Sequence, residues 1–331
     1  MDEVRSGTCG NDGPQTGRRR WGRIVVGILV LGLFLVLGRR YLSELRRLAD
    51  VSPSVVALMV ASMLAARLVQ GRSLQLLLRA LGHRVGLGEM FFLNILTSYT
   101  NLVLPRAGMG APALYLKRRY QVSFADFGSL SVLVSVLNLV AAGLLGLVCL
   151  YIAHLGFRQP LELKVTLAFS VVVLGGIVAT FVRLPVAERR RGRIADFLRR
   201  SASSWAQLGS SRRIIAHTLA LRLGALVLHS LRLKLAFVAM GVEVSFLGVV
   251  VATMLGALAM LVSITPAGLG FREAAIAYSA TMIGCSPSVA VAAAVLDRLV
   301  MTVCVVILAQ VGLWRLVGGA EDGSGGGRAE S

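Results

Sequence analysis

The sequence predicts an all-α polytopic membrane protein containing an inverted repeat of transmembrane helices, and three observations carry that expectation. Of its 331 residues, 56% are hydrophobic and 15% charged, against about 25% charged in soluble domains. Six aliphatic blocks of roughly 18 residues or more are long enough to cross the hydrocarbon core of a bilayer. Two interruptions, Pro105-Arg-Ala-Gly-Met-Gly110 and Pro266-Ala-Gly-Leu-Gly270, share one signature and close apolar stretches in corresponding parts of the chain. So much apolar surface excludes a soluble enzyme, a disordered chain, a nucleic-acid-binding domain and a disulfide-stapled secreted protein.

The elements follow in order. Residues 1–20 are polar and Gly-rich, ending in Arg18-Arg19-Arg20, and read as a disordered cytoplasmic tail. Ile24–Leu37 is apolar, and Gly38-Arg39-Arg40-Tyr41 offers no small-x-small cleavage site, so it reads as an uncleaved first span. A connector with Arg39, Arg40, Glu44, Arg46 and Arg47 precedes a second span, Pro53–Val69, whose proline sits in the first turn where its missing N–H costs nothing. A basic loop (Arg72, Arg79, Arg84) leads to an apolar stretch over 88–104 that stops at Pro105. Lys117-Arg118-Arg119 precedes spans at 124–153 and 161–182. The most basic loop, 183–213, has room for a helix at 192–208 lying on the membrane surface. Then come a span at 214–240, an apolar stretch 246–264 broken before Gly270, a last span at 288–314, and a Gly-rich tail, 317–331, expected to be disordered. The transmembrane domain is thus 21–316, with halves at about 51–182 and 214–316 joined by 183–213.

The net charge of +19 comes from 35 basic residues, of which only Lys117, Lys164 and Lys234 are lysines. They cluster at the ends of apolar blocks, as expected of cytoplasmic loops facing anionic headgroups. Eight full spans with a cytoplasmic N-terminus would place the basic 183–213 loop outside. Six full spans plus two re-entrant hairpins, tipped near Pro105 and Pro266, keep 72–84, 117–119 and 183–213 inside, and the hairpins then enter from opposite faces. The expected location is the cell (cytoplasmic) membrane. Four scattered cysteines and four scattered histidines give no metal spacing, and no cofactor is expected.

Proline lacks an N–H and glycine frees the backbone, so each break releases polar groups that cost several kcal/mol in lipid unless protein or water satisfies them. Pro105, Gly108, Gly110, Pro266, Gly268 and Gly270 are therefore the hinge candidates. Intramembrane charges are usually paired and functional, which singles out Glu273, Asp297 and Arg298. Adjacent helical residues point about 100° apart, so Asp297 and Arg298 are each expected to pair across the bundle, and Glu273 with an arginine more distant than Arg272. Arg222, His229 and Arg232 share a helix face; Arg222 and His229, with Arg106 and Arg298, are candidates for an anionic group, while Arg232 and Lys234 read as chains reaching the outer interface. Glu273, Asp297 and Asn138 complete the expected headgroup-binding set, Asn138 forming with Ser131 and Ser135 a polar stripe in the first half.

Thr265-Pro-Ala-Gly-Leu-Gly-Phe-Arg-Glu273 resembles the flippase-like membrane domain shared with the transmembrane region of lysylphosphatidylglycerol synthases. Pro266, Gly268, Gly270 and Glu273 match that family's Pro-x-Gly-[Leu/Ile]-Gly-x-x-Glu signature, Asn101–Gly108 resembles its first-half motif, and Asp297-Arg298 its acidic-Arg pair. The likeness covers roughly 20–315. The first motif departs from the family by continuing Met109-Gly110-Ala111-Pro112 without an acidic residue, and Asn138 stands where an acidic-Arg pair is usual. The soluble aminoacyl-transferring domain is absent from the sequence, so lipid aminoacylation is not expected. The resemblance implies a lipid flippase or transporter handling anionic phospholipid or lipid-linked glycan headgroups, with membrane lipids as partners, no nucleic acid, and room for a homo-oligomer or an envelope-synthesis partner. A small-molecule secondary transporter and a non-catalytic accessory subunit of glycolipid synthesis remain alternatives. No GxxxxGK[ST] occurs, so movement is expected to be downhill, ion-coupled or partner-assisted.

Overall fold

The computed structural model describes residues 52–103, 110–157, 162–181, 193–262, 270–279 and 284–321; the expected first span, the N-terminal tail, Pro105, Arg106, Gly108, Pro266 and Gly268 lie outside them. Ten helices order this part of the chain: α1 Pro53–Ala80, α2 Leu87–Val103, α3 Gly110–Tyr120, α4 Phe124–Phe157, α5 Leu163–Phe181, α6 Arg193–Ser210, α7 Arg212–Ala239, α8 Phe246–Val262, α9 Phe271–Tyr278 and α10 Pro287–Glu321. Stretches within α1, α4, α5, α7 and α10 are long and apolar enough to cross a membrane. At 17 residues each, α2 and α8 reach only about 25 Å, short of a hydrocarbon core of about 30 Å.

Helix lengths repeat. The order 28, 17, 11 and 34 residues in α1 to α4 returns as 28, 17, 8 and 35 in α7 to α10. The turn after the first long helix is the same in both copies. The Gly82 N–H donates to Arg79 O (3.0 Å) and the His83 N–H to Leu78 O (2.9 Å); the Gly241 N–H donates to Val238 O (2.9 Å) and the Val242 N–H to Phe237 O (3.1 Å). These paired bonds define a Schellman stop, which needs a left-handed residue at its glycine, and Gly82 and Gly241 have φ of 88° and 72°. Side chains repeat the pattern: Gln75 Nε2 donates to Val85 O at 2.8 Å, and Lys234 Nζ to Val244 O. Lys234 therefore holds the turn that follows its own helix rather than reaching for the interface.

The copies run in opposite directions where they meet. α1 crosses α7 in the largest helix–helix interface among the described residues. Met59, near the start of α1, shares a core cluster with Leu233, Phe237 and Met240 near the end of α7; Leu77 and Leu78, near the end of α1, cluster with Ile215 near the start of α7. Antiparallel copies meet at equivalent residues only where their pseudo-two-fold axis passes. That point is marked by Gln70 and His229, 159 positions apart, whose Nε2 atoms lie 3.0 Å from each other. The same spacing relates Gln75 to Lys234 and Gly82 to Gly241. The last long helix of each copy packs on the second helix of the other, α4 on α8 and α10 on α2.

Among the described residues α5 and α6 have no counterpart in this pattern. α5 packs on α4 along a glycine seam, where a Cβ on Gly146 would stand 2.6–2.8 Å from the Phe169 ring. Its other face shows Leu163, Leu167, Val171, Leu174 and Val178 outward, a lipid-facing stripe. The amphipathic α6 is tied to the bundle by Ser129 Oγ donating to Ser201 O (2.9 Å), Ser204 Oγ to Asp126 (2.5 Å) and Gln207 Nε2 to Ala80 O (3.0 Å).

Two boundaries differ from the sequence reading. α1 continues to Ala80, past the Val69 expected to end it, because Arg67 is buried against polar neighbours and Arg72 lies along the helix with Nη1 donating to Gln75 Oε1 at 2.5 Å. α10 runs to Glu321, beyond the expected start of the tail at 317.

Candidate functional site

Two polar centres are buried in the bundle, one of ions and one of amides. In the first, Asp297 is fully excluded from solvent and accepts from two arginines. Arg232 donates from Nε (2.5 Å) and Nη2 (3.2 Å), and Arg272 from Nη2 (2.8 Å). Arg298, on the next face of α10, pairs with Glu273. Glu273 also accepts the Gly270 N–H at 2.8 Å, so it caps α9 as well as holding α10. Gly270, at φ 87°, is the left-handed residue that lets the chain enter α9. Asp297 and Arg298 each pair across the bundle as the helical geometry demands, and the distant partner of Glu273 is Arg298. Arg232 departs from expectation. It is 2% exposed and joined to Asp297 rather than reaching the interface, because a carboxylate one helix away satisfies it within the apolar core.

The second centre surrounds the crossing of α1 and α7. Arg67 Nη1 donates to Gln70 Oε1 (3.5 Å) and Asn94 Oδ1 (3.4 Å). Asn94 Nδ2 donates to Gln70 Oε1 at 3.1 Å. That bond orients the Gln70 amide, so its Nε2 donates to His229 Nε2, leaving the imidazole proton on Nδ1. Arg67, Gln70 and Asn94 escaped the sequence reading because a lone Arg and Gln at the end of an apolar block look like the start of a loop. The available signal was the equivalence of Gln70 with His229.

Arg222 is buried on α7, about 15 Å along the helix from Arg232, and its Nε lacks a hydrogen-bond partner. Asn138 is half-buried on α4 and takes no part in either centre. Matched by helix starts, Val134 and Ser135 stand opposite Asp297 and Arg298, and Asn138 lies one turn beyond. Ser131 and Ser135 donate to carbonyls of their own helix, at Phe127 (2.8 Å) and Ser131 (2.9 Å). Gly110 opens α3. Among the described residues no group of three or more His, Cys, Asp or Glu is placed to hold a metal ion.

A third cluster joins α2 to α3. Glu89 accepts from the hydroxyls of Tyr115 (3.3 Å) and Tyr120 and pairs with Arg119 at 3.4 Å. Partial burial, reinforced by the adjacent carboxylate, pushes the Tyr115 hydroxyl up to about 12 and raises that of Tyr120. Both therefore stay protonated donors at neutral pH.

Apolar helices of this length, closed around internally paired charges, define an all-α polytopic membrane protein. The chain matches the family described as the lysylphosphatidylglycerol synthase TM region over residues 21–309, nearly its whole length, and belongs to it. The match is to the membrane region, and no soluble synthase domain is detected. No curated protein matches the chain.

Proposed function

We propose that this protein moves the headgroup of an anionic lipid, a phospholipid or a lipid-linked glycan, between the leaflets of the cell membrane. The observation that supports this is a surplus of positive charge inside the bundle. Arg232, Arg272 and Arg298 are buried or half-buried there and share the carboxylates of Asp297 and Glu273, while Arg67 and Arg222 are buried and pair with neither. Each unmatched arginine costs about 3 kcal/mol even on the most permissive insertion scale. A passing phosphate offsets that cost, since the guanidinium fork matches its oxygens. The headgroup would travel through the bundle while the acyl chains stay in lipid, with the glycines at the two breaks letting α3 and α9 shift. Family membership points to lipid-related work in the membrane.

The test is reconstitution into liposomes carrying fluorescent phosphatidylglycerol in both leaflets, bleached from outside by a membrane-impermeant reductant. Protein-containing vesicles are expected to lose the inner-leaflet signal that empty vesicles keep, and Glu273→Gln to slow that loss. Wild-type vesicles indistinguishable from empty ones over a panel of anionic phospholipids and lipid-linked sugars would overturn the reading.

A further inference from the structure

Among the described residues the ion pairs leave Arg67 and Arg222 buried without an acid, and Arg67 is the one beside the crossing of α1 and α7. Asp297 is shared by Arg232 and Arg272, and Glu273 is held by Arg298. Arg67 is 8% exposed, touches only amide oxygens at 3.4 and 3.5 Å, and its Nε has no hydrogen-bond partner. Its neighbours cannot neutralise it: Gln70 and Asn94 are uncharged, and the Gln70 bond leaves His229 a neutral acceptor at Nε2. Arg67 lies one turn from Gln70, hence one turn from the pseudo-two-fold axis. In an inverted repeat that axis lies at equal depth from the two faces, where a group passing between leaflets is halfway.

The structure assigns to Arg67, with the amides of Gln70 and Asn94 beside it, a subsite for a phosphate group at the midpoint of the bundle. This rests on the transport reading above and names the part of the substrate that this point holds. A phosphate monoanion supplies the missing charge and accepts from the guanidinium fork, Nε included. The long contacts to Gln70 and Asn94 give way to shorter charge-assisted ones. The Asp297 and Glu273 pairs then serve to hold α7, α9 and α10 together rather than to bind cargo. Arg222, well away along α7, is a separate centre.

The test uses the purified full chain in a neutral detergent, following thermal unfolding with and without dihexanoylphosphatidylglycerol or inorganic phosphate. Wild type is expected to unfold at a higher temperature with the short-chain lipid. Arg67→Gln removes an uncompensated buried charge, so without ligand it should be at least as stable as wild type. It should bind the lipid at least about tenfold more weakly. Asn94→Leu should also weaken binding while keeping the charge. Stabilisation by inorganic phosphate as well would place the recognition in the phosphate itself; stabilisation by the lipid alone would place it in the whole headgroup. No response to either probe, an unchanged affinity in Arg67→Gln, or an Arg67→Gln protein that is less stable or fails to fold would each overturn the assignment, the last by making Arg67 structural. Arg67-dependent binding without translocation in liposomes would sink the transport reading and leave the subsite standing. Undiminished translocation by Arg67→Gln would do the reverse.

Discussion

Replacing Asp297 with asparagine keeps the side chain's size and removes one charge from the most enclosed ion cluster in the bundle. Three hydrogen bonds converge on the carboxylate from Arg232 and Arg272 at 2.5, 3.2 and 2.8 Å, and none of it meets solvent. The neutral amide would leave two guanidiniums facing each other without an acid. Breaking a buried pair from one side costs about 3–5 kcal/mol, and at a few degrees per kcal/mol the unfolding midpoint should fall on the order of 10 °C. Thermal unfolding of the purified protein in detergent, followed by tryptophan emission, measures this. Arg232→Gln in the Asp297→Asn background should recover part of the loss, because the two changes act on one contact and are not additive. Asp126→Asn, which alters an acceptor of one serine hydroxyl, should cost only about 1 kcal/mol. A midpoint for Asp297→Asn within about 2 °C of wild type would refute the view that this cluster holds α7, α9 and α10 together.

Gly82→Ala and Gly241→Ala meet no neighbouring atom within 4 Å, so each should cost only the left-handed backbone, about 1–2 kcal/mol, and the two midpoints should fall equally if the copies are equivalent. Gly146→Leu drives a side chain into the Phe169 ring, and about 1–3 kcal/mol of lost α4–α5 packing should appear as faster hydrogen exchange across Leu163–Phe181. Glu89→Gln weakens the acceptor that joins α2 to Tyr115, Arg119 and Tyr120, so amide exchange across Gly110–Tyr120 should quicken while Arg212–Ala239 is unchanged.

Much of this architecture was legible in the sequence, and the exceptions have physical causes. The apolar blocks announce themselves because lipid tolerates few alternatives to an unbroken helix, and the helix at Arg193–Ser210 by its basic, amphipathic sequence. Glu273, Asp297 and Arg298 were legible because a charge deep in an apolar run needs a partner. Arg232 was misread because it stands near Lys234 towards the end of a span, where a long cationic chain ordinarily reaches for headgroups; its carboxylate is 65 residues away in the chain. Arg67 was missed because an arginine followed by Gln70 and Arg72 looks like the edge of a loop, and only packing against α2 and α7 turns that stretch into buried helix. The break motifs revealed the repeat, while its register lay in a fainter likeness, Ala80-Leu-Gly-His-Arg-Val85 against Ala239-Met-Gly-Val-Glu-Val244.

The opposed directions of α1 and α7 impose a rule of parity on everything between them. Equivalent helices that run head to tail must begin on different sides of the bilayer, so the stretch from Pro53 to Arg212 has to cross an odd number of times. α1 and α4 account for two crossings, which cancel. α5 is the third, and it turns the second copy over. The count stays odd only when α2 and α3 together make no net passage, entering and withdrawing on a single side. A single extra crossing between the copies is thus the device by which a duplicated unit, read twice in one direction along the chain, faces both ways across the membrane.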